Sequence, residues 1–499
     1  MPLQPLIPDT EAFLRSSPKR MIVGGEQIPS ASGKTYDAVN PSDGSVLATV
    51  YAGGPEDVDR AVAAARAALM EGWGTMAPAQ RERRLRRWAD LIEAHNDELA
   101  QLESLDNGKP IKHTQHIDVF VAADEIYHFA GWPSKIEGET HPVSIPGKFV
   151  YTRREPVGVV AIIIPWNYPL IHAMQKCAPA LACGNAVILK PAKAATLALL
   201  RVGELALEAG LPAGAFNVLA GSGASIGNYL AAHPQVDKVA ITGSTEVGRD
   251  VIRNSAVNIK RLALELGSKA PNVVMADADL DRAIPAAYEA AFGNTGQSCV
   301  AGSRLYVQSE VYDQVVEGLV GLTGEARTGL AMDTDTDFGP IINRSQFEKI
   351  MGYLDRGRQD KVAILAGGDR LAGDGLPDGG YYLPPTILAD VPDDHPITRE
   401  EIFGPVLPIY RFDSEGELVD RVNDSIFGLA AGLWTRDVAR AHRLAAAFKA
   451  GVVWVNTYNV FDSGVPFGGF KQSGYGRDNS KHAIDAFTEV KAVWIDLAE

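Results

Sequence analysis

From residue 157 to 256 the chain repeats one theme: a short run that is apolar at nearly every position, a tight turn, then a helical stretch. "VGVVAIII" (157–164) opens the series, and "ALACGNAVILKPA" supplies a helix end, a Gly-Asn turn and a second apolar run. "TLALLRVGELALEAG", "FNVLAG", "GASIGNYLAAH", "KVAITG" and "EVGRDVIRNSA" continue as helix, strand, helix, strand and helix. A strand apolar on both sides belongs in a sheet covered on both faces. Short links between strand and helix make that sheet parallel and doubly wound. A second alternating series runs from about 271 to 465, starting with "PNVVMA", "LDRAIPAAYEAAFG", "SRLYVQ" and "YDQVVEGLVGL". The expected fold class is α/β, with two doubly wound Rossmann-like domains and a small β element that includes "FTEVKAVWIDL" near the C-terminus. Ahead of the first series, "KRMIVGGEQIPSASGKTYDAVNPSDGSVLATV" reads as short strands and turns. "PEDVDRAVAAARAAL", "PAQRERRLRRWADLIEAHNDELAQLES" and "DVFVAADEIYHFAGW" follow as helices, the first two opened by proline.

Composition narrows the partners. The formal net charge is −15, which argues against nucleic acid, whose phosphates need a basic face. Three cysteines cannot build a disulfide framework and point to a reducing compartment. The apolar run 157–164 is too short to span a bilayer, and "MPLQPLIPDTEAFL" lacks a basic region followed by an apolar core. The expectation is a cytoplasmic protein with no membrane or nucleic-acid partner and no metal.

One thiol stands out. Cys299 lies in "NTGQSCVAGSR" (294–304), flanked by Gly296 and Gly302, where it cannot serve as core packing. A free thiol titrates near ~8.5 and needs a lowered pKa or a base to act as a nucleophile. No histidine lies near it in sequence. Glu265, at the end of an apolar run in "LALELGSKAPN", is a candidate base or an exposed loop carboxylate. Asn167 in "PWNYP" is an amide donor suited to an oxyanion, or an asparagine chosen for turn geometry. Two glycine clusters compete for a dinucleotide. "GSGASIG" (221–227) is one residue too long for the usual fingerprint and reads equally as a turn before a helix. "ITGSTEVG" (241–248) sits between strand and helix with Ser244 and Thr245 at the N-cap, a natural pyrophosphate seat. Cys177 and Cys183, in "HAMQKCAPALAC", read as small core hydrophobes.

Taken in order, "PWNYP", "GNAVILKPA", "ITGSTEVG", "LELGSKAPN", "GNTGQSCVAGSR", "EEIFGPVLP" and "PFGGFKQSGYGRD" give the chain a resemblance to the NAD(P)-dependent aldehyde dehydrogenase superfamily, from about residue 20 to the C-terminus. The resemblance implies CoA-independent oxidation of an aldehyde to the carboxylic acid. Cys299 would form a thiohemiacetal and then a thioester, Asn167 and the Cys299 N–H would hold the oxyanion, and Glu265 would activate the hydrolytic water. Lys176 and Asp478 match positions that move protons behind Glu265. For the cofactor, NAD(P)+, it implies the backbone of Ile164, Pro165, Trp166 and Asn167 beside nicotinamide and phosphates. Lys190, with Ala192 and Lys193, would face the adenine ribose. Gly223, Gly227, Thr242, Gly243, Ser244 and Val247 would border the pyrophosphate and adenine. Glu265, Leu266, Gly267, Glu401 and Phe403 would surround the nicotinamide ribose. The substrate tunnel would be lined by Tyr168, His172, Gln175, Ser298, Val300, Phe461 and Phe467, and would suit medium-sized aliphatic or aromatic aldehydes.

The implied division is 1–132 with 154–264 for the cofactor, 265–474 for catalysis, and 133–153 with 475–499 as an oligomerisation element. Relatives pair subunits through that element, so a homodimer or homotetramer is expected. Three departures stand out: Ser268 where glycine is usual, Asp478 where glutamate is common, and Lys193 where NAD-preferring members carry glutamate. Many relatives have tryptophan where Gln175 stands, so this tunnel should be wider or wetter. Two other readings stay open: a CoA-acylating relative, which generally lacks the glutamate, and a non-catalytic protein that keeps the fold.

Overall fold

The structure is a computed structural model and describes residues 3–373 and 375–497. Among the described residues the strands gather into four sheets. The largest has eight strands, in the order Gly474–Tyr475, Arg261–Glu265, Lys238–Thr242, Val159–Ile163, Ala186–Lys190, Phe216–Val218, Met21–Val23 and Glu26–Ile28. Lys238–Thr242, Val159–Ile163 and Ala186–Lys190 are buried at every position, which is why their sequences show no alternation. The central pairings are parallel, and the strands at both margins are antiparallel.

Register matters more than strand order. Thr242 is level with Glu265, Ile241 with Ile163, and Ile163 with Lys190. Four neighbouring strands therefore end together, with Glu265, Thr242, Ile163 and Lys190 in a row along one carboxyl edge. In an open α/β sheet, that edge is where ligands bind. Asn185 fixes the turn into one of these strands: its Oδ1 accepts from the Gly158 N–H (2.8 Å), and its Nδ2 donates to the Ala180 and Phe487 carbonyls (2.9 and 3.0 Å).

The second sheet runs Ala363–Ala366, Thr386–Ala389, Val406–Phe412, Arg304–Gln308, Pro271–Val274, Ala430–Trp434 and Val452–Val455, parallel except for the first strand. Cys299 lies in the loop that leads into Arg304–Gln308. A three-stranded sheet joins Thr488–Asp496 to Lys148–Pro156 and Thr140–His141. Its outer strand leaves Val490 and Trp494 exposed. Among the described residues no helix is long and apolar enough to cross a membrane.

One helix departs from expectation. The run 78–104 breaks at His95 into Pro78–Ala94 and Asn96–Asn107, with no glycine or proline to mark the point. His95 takes φ −100° and ψ 23°, and its Nδ1 lies 2.8 Å from Glu98 Oε2. The break turns the second helix inward, so that every residue from Glu98 to Asn107 is buried.

Candidate active site

The thiol loop is held open from both sides. Asn294, Thr295 and Gly296 all have positive φ (52°, 54° and 68°). The left-handed region costs a β-branched residue such as Thr295 ~1–2 kcal/mol, so the surroundings must impose it. Asn167 Nδ2 donates to the Gln297 carbonyl at 2.9 Å, and Asn294 Nδ2 returns a bond to the Asn167 carbonyl at 3.1 Å. Thr295 Oγ1 donates to the Gly339 carbonyl, while Gln297 Oε1 accepts from the Ile342 N–H. Gly296 packs so tightly on Gly404 that a Cβ there would strike the Gly404 carbonyl. On the far side, Tyr458 donates its hydroxyl to the Val300 carbonyl at 2.8 Å. Asn294, Thr295, Gln297 and Tyr458 were not picked out from sequence. Three polar residues next to a glycine in "NTGQ" were the signal available.

Cys299 is only partly buried, yet its thiol is pushed up to about 12. Loss of solvation is the main cause, and the carboxylates of Glu401 and Glu265 add to it. Glu265 ends its strand 4% exposed, with its carboxyl against Gly468 and receiving the Gly469 N–H. Its Oε2 has no partner. Burial first, then Asp478, hold this carboxyl well above the usual range, against the opposing charge of Lys176. Lys176, on Pro169–Ala182, is fully buried and ion-paired with Asp478. The structure thus brings Cys299, Glu265, Asn167, Lys176 and Asp478 into one region where the two large sheets meet.

Along the carboxyl edge, Lys190 is 4% exposed and has no acceptor or counter-ion among the described residues; burial lowers its pKa to about 8. A buried amine without an acceptor is costly and suits a hydroxyl-rich ligand. Thr242 Oγ1, also buried, likewise lacks a partner. Past Gly243 the helix Thr245–Asn254 begins at Ser244, whose Oγ accepts from the Val247 N–H at 3.3 Å. Gly223–Gly227 forms a π-type turn before a short helix, with Gly223 exposed and Gly227 buried. Ile164 donates its N–H to the Lys190 carbonyl, and the Ala192 carbonyl accepts from Thr196 Oγ1. Lys193 is exposed, with its Nζ 4.8 Å from the centre of the Tyr36 ring.

Glu401 Oε1 accepts from the Ser268 N–H at 2.7 Å, and its carboxylate leaves no room for a side chain at Gly267. The Ser268 side chain is buried, with its own hydroxyl unpartnered. Leu266 donates its N–H to the Ser473 carbonyl, and Trp166, after Pro165, meets Phe403 edge to face at 5.4 Å. An orphaned buried amine and hydroxyl, with a helix N-terminus on the same edge, fit the riboses and pyrophosphate of a dinucleotide.

The remaining predicted residues fall into two aromatic groups with small or polar neighbours. Phe461, 47% exposed, packs on Trp454 and Phe467 at 5.4 and 5.7 Å. Tyr168 lies edge-on to His172, and the buried Lys109 ammonium sits 3.7 Å from the centre of the Tyr168 ring. His172 is kept neutral, its pKa lowered to about 3 by burial and then by Lys176. Gln175, Ser298 and Val300 are buried around them. Lys109 and Trp454 were not legible as site residues. Lys109 is held against the Tyr168 ring by buried pairs with Asp118 and Glu103, at 2.8 and 3.7 Å.

A two-sheet α/β chain with a thiol, an amide and a buried carboxylate at the junction, beside a dinucleotide-shaped edge, has the architecture of an NAD(P)-linked oxidoreductase. The aldehyde dehydrogenase family model matches residues 28–493. The protein DhaS of Bacillus subtilis (strain 168) is 46% identical over 491 residues, 98% of each chain. Mitochondrial aldehyde dehydrogenase of Homo sapiens is 44% identical over 483 residues, 96% of this chain and 92% of that one. The NAD+ complex of an aldehyde dehydrogenase from Bacillus cereus has a TM-score of 0.96 at 43% identity and covers 99% of both chains. The chain belongs to the aldehyde dehydrogenase family and is an NAD(P)-dependent aldehyde dehydrogenase.

The raised thiol has a direct test. In ligand-free protein, alkylation of Cys299 by iodoacetamide should still be climbing about tenfold per pH unit at pH 9. Peptide mass analysis showing a plateau by pH 8 would contradict the raised value.

Proposed function

We propose that the chain oxidises an aldehyde to its carboxylic acid without coenzyme A, through covalent chemistry at Cys299. The Asn167–Gln297 hydrogen bond carries this reading, because it fixes an amide donor beside a thiol two residues further on. The Cys299 sulfur attacks the aldehyde carbon, and the developing oxyanion takes the Asn167 amide and the Cys299 N–H as donors. Lys190, Ser244 and Glu401 would hold NAD(P)+, which would supply the acceptor for the hydride leaving that carbon. Cys299 is then left as a thioester. Glu265 takes a proton from water, whose oxygen attacks the thioester; the C–S bond breaks, freeing the acid and leaving Cys299 as the thiolate. A free Glu265 oxygen and a buried site that excludes bulk solvent support this hydrolytic role. Lys176 and Asp478 are proposed to pass the proton on from Glu265.

Glu265 must be ionised to act as a base, and its pKa is raised, so turnover should climb as pH rises through that raised value. Glu265→Gln should remove this acidic limb, slow deacylation by about 10²-fold or more, and accumulate an acyl-enzyme visible by mass. Cys299→Ala should abolish turnover while cofactor binding persists. Residual oxidation by Cys299→Ala above background would refute the nucleophile.

The contacts proposed for the substrate are Tyr168, His172, Gln175, Ser298, Val300, Phe461 and Phe467. A neutral His172 and an aromatic mouth suit uncharged aliphatic or aromatic aldehydes. The same division into cofactor (1–132, 154–264), catalytic (265–474) and oligomerisation (133–153, 475–499) units is proposed. Exposed Val490 and Trp494 on an outer strand support a homodimer or homotetramer. Light scattering should give a multiple of 53.4 kDa at micromolar concentration. A monomer mass there would contradict it.

Lys193 is proposed to make NADP+ acceptable and moderately preferred. A glutamate would repel a 2′-phosphate, whereas an exposed lysine held only by a ring contact is free to meet one. Lys193→Glu should shift the kcat/KM ratio toward NAD+ by about tenfold, equivalent to ~1.4 kcal/mol. Wild-type enzyme that ignores NADP+ would overturn the idea, as would an unchanged ratio.

A further inference from the structure

Glu125 is a buried carboxyl that the mechanism above leaves unused. It lies on the inner face of the helix Val119–Ala130, 2% exposed, and its Oε2 has no hydrogen-bond partner. That helix packs along Pro169–Ala182, which carries Lys176. The side chains within its reach are Ser463 and Asn479, and Asn479 follows Asp478 directly. Ser480 donates its N–H to the Ser463 carbonyl, which ties the Asp478 segment to Ser463. Ser463 Oγ in turn donates to Oδ2 of the exposed Asp124 at 3.3 Å. Asp478, Glu125, Ser463 and Asp124 thus lie close together, from the buried Lys176–Asp478 pair to a carboxylate in water, with the Ser463–Asp124 hydrogen bond as the outer link.

We infer that Glu125 is the outer relay of the proton path, taking from Asp478 the proton that Glu265 removes from water and releasing it to solvent through Ser463 and Asp124. This rests on the hydrolytic reading of Glu265. Each step moves one proton between two oxygen atoms. No electrons move, and the Lys176 ammonium keeps its charge. Facing Glu125 are Asp478 from the C-terminal segment and Asp124 from its own helix. His128 and Asp462 stand further out, both in the field of Asp124 or of each other. Burial, followed by the charge of Asp478, raises Glu125 to about 8. At neutral pH the resting group is a neutral acid, so it gives its own proton to the Ser463 side as it takes the one from Asp478; glutamine imitates its shape but cannot make that exchange.

The test is acyl-enzyme decay, followed by rapid quench and mass, together with the first-turnover burst of reduced cofactor. In Glu125→Gln the burst should keep its wild-type size and rate, while decay slows by about tenfold and loses its rise near pH 8. Glu125→Asp should recover most of the decay rate, and Ser463→Ala, which breaks the link to Asp124, should slow it as well. Unchanged decay and pH profile in Glu125→Gln would overturn the inference. Equal losses of burst and decay would also overturn it, since they would show a packing role only. Wild-type protein that forms no acyl-enzyme would instead sink the hydrolytic reading itself.

Discussion

The hydrogen bond from Asn167 Nδ2 to the Gln297 carbonyl is the joint on which the site depends. Asn167 stands just past the carboxyl end of a strand in the eight-stranded sheet, and Gln297 stands in the loop that enters the seven-stranded one. Neither sheet holds the whole constellation. The first supplies the amide, the buried glutamate and the dinucleotide edge; the second supplies the thiol. A bond of this kind contributes about 1 kcal/mol in net terms, yet it decides whether two left-handed residues stay where they are. The return bond from Asn294 and the Gly296–Gly404 contact make the arrangement over-determined, as strained functional loops require.

Behind that joint Lys176 is the cation paired with a buried carboxylate, with Arg477 also acting on Glu265. Glu265, Asp478 and Glu125 are three buried carboxyls, and Lys176 is the ammonium that lowers Glu265 and pairs with Asp478. Three ionised carboxyls sharing one ammonium in a dry interior would repel strongly. Burial is the larger reason, and the charge of Asp478 the second, that Glu265 and Glu125 both sit above the usual range. The shorter side chain of Asp478 still reaches Lys176, because Asp478 and Phe467 exchange backbone hydrogen bonds that hold the segment close to it.

Periodicity made the fold readable because burial on both faces leaves its mark directly in sequence: Val159–Ile163 is apolar throughout for that reason alone. The break at His95 was invisible, since it follows from which side of a helix finds a core and not from a helix-breaking residue. Within the site, Cys299 was legible because a thiol among glycines and polar residues stands out, although the expectation that it takes no part in packing fails: it packs against the cluster of Val300, Trp454, Tyr458 and Phe467. Asn167 and Glu265 became legible only as parts of an ordered motif set. Lys109, Tyr458 and Glu125 were not legible at all. Each acts through a partner more than 50 residues away or on another element, and neither the loops that hold Lys109 and Tyr458 nor the helix that holds Glu125 carries a trace of such partners in sequence.

The resting site is consistent in its charge. A thiol pushed up to about 12 and a glutamate held above its usual range look wrong for a nucleophile and a base. In a ligand-free site both follow from one cause, which is that desolvated charge is expensive. Keeping sulfur and carboxyl protonated leaves Cys299 and Glu265 uncharged beside Glu401, so the loop bears no unpaired repulsion while it waits. A neutral thiol is also a poor target for stray oxidants and alkylating agents. Reactivity must then come from what enters the cleft: a carbonyl that offers its oxygen to the Asn167 amide, and positive charge arriving along the dinucleotide edge, both of which favour the thiolate over the thiol. On the proposed chemistry, storing the thiol in its inert form is a consequence of burying it, and the same burial would strengthen every hydrogen bond made to the oxyanion.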